Sequence, residues 1–108
     1  MSFRFMRIIL FFDLPMMTKE DIRRYNRFHK YLIKEGFIMI QYSVYAKLAL
    51  NKSIISQVKK RLDKNKPPTG NIAILEITEK QFAGIQWILG QKASYVLDTT
   101  DKVTIYNE

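Results

Sequence analysis

The sequence predicts an α+β fold in which two helices lie on one face of an antiparallel sheet, in the order β-α-β-β-α-β. Three observations predict it. An apolar run from Met6 to Phe12 ends abruptly in Asp13, Leu14 and Pro15. Two amphipathic stretches, 19–35 and 51–65, begin with residues that start helices. Between and after them, 37–50 and 71–77 are rich in Ile, Val, Tyr and Phe and read as extended chain.

The run Met6–Phe12 is too short to span a bilayer, which takes roughly 20 residues as a helix. Its Ile and Phe content reads as a strand buried on both faces. Pro15 has no N–H for a ladder and biases Leu14 away from helix, so the strand stops near Asp13. A lone acid is thereby delivered to the rim of a hydrophobic sheet. That position suits a metal ligand, and it equally suits a residue that starts a turn.

Thr18 with Asp21 three residues on resembles a capping box, and Glu20 and Asp21 suit the positive end of a helix. The helix runs to about Glu35, with Gly36 as its stop. At 100° per residue, Ile22, Tyr25, Phe28, His29, Leu32 and Ile33 gather on one side. Arg23, Arg27, Lys30 and Lys34 form a stripe on the other, flanked by Arg24 and Tyr31. His29, the one histidine, therefore reads as a core residue and not as a general base. Phe37 to Leu50 is too long for one average strand, and Gln41-Tyr42-Ser43 is its most polar point. It divides into strands Phe37–Gln41 and Val44–Ala49 around a tight turn or bulge. Ser43 has no evident base, so it reads as a turn hydroxyl.

Asn51 opens the second helix, which buries Ile54, Ile55, Val58 and Leu62. Lysines late in this helix suit its negative end. Pro67-Pro68-Thr69-Gly70 breaks the chain, and Asn71–Ile77 is the fourth strand. Thr78 with Gln81 forms another capping box. Beyond it the pattern is ambiguous: Ile85, Trp87 and Leu89 alternate as in a strand, while Phe82, Ile85 and Leu89 share a helical face. Val103–Tyr106 reads as a short terminal strand. The element order is that of the ferredoxin-like sandwich, with residues 79–108 as an extension. Strand-like material without a partner in its own chain is expected to pair across a homodimer.

At 108 residues the chain is one domain, and 47% hydrophobic with 26% charged residues excludes disorder. It has no cysteine, which excludes disulfides, zinc ribbons and thiol nucleophiles. The N-terminal apolar run lacks a signal-peptide cleavage pattern, so a soluble cytoplasmic protein is expected. Net charge is +8, unevenly spread: residues 1–75 hold 15 Lys/Arg against 5 Asp/Glu, and residues 76–108 hold 3 against 5. A body this basic faces an anionic partner, either nucleic acid or a membrane surface, and nucleic acid is the expected one. Lys19, Arg23, Arg24 and Arg27 lie nearest the Asp13 end and are the expected phosphate contacts. Nothing supplies a base-reading helix, so shape and length are read and not sequence.

The strand ending Phe12-Asp13-Leu14-Pro15, the basic first helix and Gly36 through Gln41-Tyr42-Ser43-Val44-Tyr45 resemble the CRISPR-associated protein 2 family. Gly70-Asn71-Ile72 leading to Thr78-Glu79-Lys80-Gln81-Phe82 is similar to the branch found with type II systems. The resemblance covers nearly the whole chain. It implies a ferredoxin-like homodimer with stacked sheets and C-terminal strands exchanged between copies. It implies Asp13 as catalytic metal-binding residue, with Mg2+ as cofactor, in an endonuclease acting on single-stranded RNA or duplex DNA. It also implies a scaffold role, bridging integrase subunits during spacer acquisition. Magnesium wants about six oxygen ligands and keeps several waters, so one carboxylate makes a weak site. A twofold axis can bring Asp13 and its copy together. Two alternatives share the fold. One is a stand-alone toxin-like ribonuclease. The other is an RNA-binding module, which needs an aromatic signature that Tyr45-Ala46-Lys47-Leu48-Ala49 lacks.

Overall fold

The computed structural model describes residues 5–90, and the expected terminal strand at 103–106 lies outside them. The elements are β1 (Met6–Asp13), α1 (Lys19–Glu35), β2 (Ile38–Gln41), β3 (Val44–Ala49), α2 (Lys52–Asn65), β4 (Asn71–Thr78) and the single turn α3 (Glu79–Ala83). The strands form one sheet in the order β2-β3-β1-β4, every neighbour antiparallel. With β3 between β1 and β2, and both longer helices on one face, this is the ferredoxin-like arrangement that the element order predicts.

Local signals act where the sequence places them. The Thr18 side chain accepts from the Asp21 amide, and the Asp21 carboxylate accepts from the amides of Met17 and Thr18. At the other end of α1, Gly36 adopts φ 104°, and its amide and that of Phe37 return to carbonyls of the last turn. Because the Phe37 amide donates to the Leu32 carbonyl at 2.9 Å, β2 starts one residue later than the sequence predicts. Asn51 caps α2 at 2.9 Å from the Ile54 amide instead of lying inside it. The second capping box, Thr78 with Gln81, starts α3 as expected. Residues 85–89 are neither strand nor helix, which resolves the ambiguity as irregular chain.

The core lies between the sheet and the two helices. Ile8, Leu10 and Phe12 of β1 point into it, against Tyr25, Phe28 and Leu32 of α1 and Ile55, Val58 and Leu62 of α2. Phe12 is its aromatic centre, with ring centroids 5.3 Å from Phe28 and 5.7 Å from both Tyr25 and Tyr45. Burying each such side chain stabilises by about 2 kcal/mol before chain entropy is counted. Three expectations about burial change. Among the described residues β1 is not covered on both faces: Phe11 on its outer face is 44% exposed, because both long helices pack on the opposite side. Ile22 and Ile33 lie at the margins of the α1 stripe and stay exposed, since the helix touches the sheet through a narrower arc than the wheel implies. His29 is only partly buried, with its Nδ1 2.6 Å from the Tyr45 hydroxyl.

Candidate active site at the end of the first strand

Asp13 closes β1, and strand alternation puts it on the outer face with Phe11, opposite Asn71 in the register. Its backbone is fixed from both sides. The Phe12 amide donates to the Ser43 carbonyl at 3.1 Å, extending the ladder into the β2–β3 turn. Ser43 holds that turn with φ 66°, a conformation uncommon outside glycine. Its hydroxyl lies 3.2 Å from that of Tyr25, so it serves the turn, as the sequence implies. On the other flank Gly70 approaches so closely that a Cβ there would lie 2.6 Å from Leu14 Cδ2 and 2.9 Å from the Asp13 carbonyl oxygen. With φ 107° as well, glycine is required on both counts. Between these flanks Asp13, Phe11, Tyr42, Ser43 and Asn71 line an open depression of about 490 Å³.

The carboxylates divide sharply. Glu20 pairs with Arg23, Glu35 with Arg61, Asp63 with Lys66, Glu76 with Lys59 and Glu79 with Arg7, while Asp21 is occupied by the cap. Among the described residues Asp13 is the one carboxylate with neither a hydrogen bond nor an ion pair. In a chain with eight surplus positive charges, an exposed acid left without a cation stands ready for one from outside. The described residues hold no cluster of three or more His, Cys, Asp or Glu, so a single copy offers a metal one carboxylate and surrounding water.

The basic residues divide too. Arg23 lies 3.0 Å from Glu20, and Arg24 lies 3.6 Å from Glu20 and 3.8 Å from Asp21. The Arg23 hydrogen bond and charge hold Glu20 below the usual carboxylate range. Lys19 and Arg27 are exposed and have no ion pair among the described residues. The four expected contacts thus share about two helical turns with two acids, and the local excess is about two charges. Sequence reading missed Tyr42, whose ring stacks on Tyr25 at 5.3 Å on the rim of the depression, and Gly70. The Pro-Pro-Thr-Gly break marked the loop containing Gly70 but not what it would touch.

At the other end of β1, Arg7 forms a two-pronged bond to Glu79, at 2.6 and 3.1 Å, and lies 4.6 Å over the Phe82 ring. This ties α3 to the sheet and fixes where the chain leaves it.

The family model described as "CRISPR associated protein Cas2" matches residues 6–85. A protein of Treponema denticola named "CRISPR-associated endoribonuclease Cas2" is 46% identical over 100 residues, covering 93% of this chain and 99% of that one. One of the same name from Streptococcus mutans is 42% identical over 103 residues, covering 95% and 94%. A solved structure described as "Crystal structure of cas2" has a TM-score of 0.58 and 24% identity over 83% of this chain and 92% of the other, a likeness of fold. With an acid-tipped central strand in a ferredoxin-like sheet and a family match across 6–85, the chain belongs to the Cas2 family of CRISPR-associated proteins.

Proposed function

We propose that this protein is a magnesium-dependent endonuclease of CRISPR adaptation, working in the cytoplasm as a homodimer on single-stranded RNA or duplex DNA. The observation that carries the reading is the unpartnered Asp13 carboxylate at the rim of an open depression. The relatives named endoribonuclease support the reaction class. No helix of the described residues is long and apolar enough to cross a membrane.

The donor chemistry fits Mg2+. A carboxylate is a hard oxygen ligand, and an open depression leaves room for the waters this ion keeps. Asp13 would hold it together with Asp13 of a second copy, related by a twofold axis. The ion when bound polarises a phosphoryl oxygen or activates a water. The chain's own part is positional: Ser43 and Gly70 fix the Asp13 backbone, and Lys19, Arg23, Arg24 and Arg27 hold the phosphate backbone beside it. The same homodimer would bridge integrase subunits, with exposed Ile88 and Leu89 beyond α3 as apolar contacts.

Asp13→Asn tests the site. Magnesium-dependent cleavage of single-stranded RNA is expected to fall about a hundredfold or more. Sedimentation and duplex binding are expected to stay unchanged, since the Asp13 carboxylate makes no hydrogen bond or ion pair among the described residues. Cleavage at the wild-type rate would remove Asp13 from the chemistry.

A further inference from the structure

Tyr42 occupies the tip of the β2–β3 turn and is 63% exposed, more than any other aromatic side chain among the described residues. Turn chemistry does not call for it. Tight turns favour Gly, Asn, Asp and Ser, and the left-handed position of this one belongs to Ser43. Nor is the ring loose. One face lies on Tyr25, with centroids 5.3 Å and planes 16° apart. Tyr25 is buried and meets Phe12 edge to face at 5.7 Å. Tyr42 is thus the outermost ring of an aromatic column, Phe12–Tyr25–Tyr42, rooted in the core. Its opposite face is open. Covering Tyr25 would need only an apolar side chain, so the aromatic face that Tyr42 shows to water is left to be explained.

The ring is also fixed relative to Asp13. Ser43, next to Tyr42, accepts at its carbonyl from the amide of Phe12, next to Asp13, at 3.1 Å. Tyr42 and Asp13 line the same depression, and apart from Asp13 its lining is uncharged, Phe11, Asn71 and Ala73 included. Its volume of about 490 Å³ is that of a site for a small molecule. A bare phosphate does not suit this wall, since the one charge it meets there is negative. A nucleobase, apolar over its faces and polar along its edge, does. We propose that Tyr42 is a stacking platform for an unpaired nucleobase beside the phosphate held at Asp13. The bases of a duplex are already stacked and paired, so the platform favours a single strand. Because Tyr42 lies in the turn and on Tyr25 of α1, a second copy on the outer sheet face would leave this ring open. The inference rests on the reading that this chain acts on nucleic acid, and it deepens that reading by naming what selects the strand.

The test measures binding without cleavage, in the Asp13→Asn background, by fluorescence anisotropy. The probe is a single-stranded RNA of about ten nucleotides, used alone and annealed to its complement. Tyr42→Leu keeps an apolar cover over Tyr25 but has no aromatic face. It is expected to weaken binding of the single strand about fivefold or more, and of the duplex less than about twofold. Tyr42→Phe keeps the face and is expected to bind within about twofold of its parent. A series of RNAs, each lacking one base, finds the nucleotide that is seated. At that position the parent is expected to lose about fivefold and Tyr42→Leu nothing further. Single-strand affinity unchanged by Tyr42→Leu, an equal loss on the duplex, or a loss shared by Tyr42→Phe overturns the platform. So does a series in which no missing base brings the parent and Tyr42→Leu to the same affinity. Cleavage by the protein with Asp13 intact decides the nuclease reading separately.

Discussion

Gly70 and Asp13 show how much one residue of this protein constrains another. A methyl group at Gly70 meets Leu14 and the Asp13 carbonyl at distances no real Cβ tolerates, and φ 107° already disfavours any other residue. Gly70→Ala is therefore expected to cost about 2 kcal/mol, read as a lower urea midpoint at unchanged slope. Because the displaced atoms belong to Asp13 and Leu14, cleavage should fall further than stability alone explains. An unaltered urea midpoint would show that the loop opens freely. Tyr31 offers a second check at this scale. Its pKa is raised above the ordinary value near 10, so the neutral form is favoured in the folded protein. The stability this contributes is complete below pH 10 and is lost as pH rises through the higher folded value. Tyr31→Phe should make unfolding less sensitive to pH in that alkaline window.

At the scale of elements, α1 does two things with one sequence. Its apolar arc buries Tyr25, Phe28 and Leu32, and its outer face carries cations whose effect is tempered by the acids of its own first turn. Those acids are needed there by the helix start, so basic charge near Asp13 is limited by helix stability. Glu20→Gln removes the partner of Arg23 and Arg24 while leaving the Thr18–Asp21 cap intact. It is expected to tighten duplex binding about two- to fivefold and to steepen its salt dependence. Reversing Arg23 and Arg27 to Glu is expected to do the opposite. Equal affinity in all three proteins would move the nucleic-acid face off α1. The sequence shows each of these charges, but pairing depends on which side chains the helix brings within 4 Å.

For the whole molecule, one sheet face is covered by helices, and the other carries no helix among the described residues. Phe11, Leu48 and Leu75 stand 44%, 37% and 54% exposed on the outer face, and strand alternation puts Asp13 on that same face. An apolar sheet face of this kind is covered in a stable protein, and a second copy would bring its own Asp13 with it. If the proposed homodimer forms through this face, Leu75→Lys is expected to give a folded monomer in sedimentation and to abolish cleavage in the same step. Activity in a monomer would separate the metal site from dimerisation. The expected exchange of residues 79–108 between copies lies largely beyond residue 90, and truncation before Ala93 tests it by the same measurement.

The sequence by itself determined the elements and their order. Capping residues, Pro15, Gly36 and the hydrophobic periods act within a few residues, so Thr18–Asp21, Asn51 and Thr78–Gln81 mark helix starts without knowledge of the rest. It also singled out Asp13, because an acid ending an apolar strand is visible locally. Tertiary structure alone decided what surrounds these residues. Pairing β1 with β4 sets Gly70 against Asp13, packing α2 beside α1 sets Lys66 near Arg27, and the fold leaves the Asp13 carboxylate without an ion pair among the described residues. The physical reason is the same in each case. Backbone preference is a property of neighbours along the chain, whereas side-chain electrostatics depends on proximity in space, which only the packed sheet and helices define.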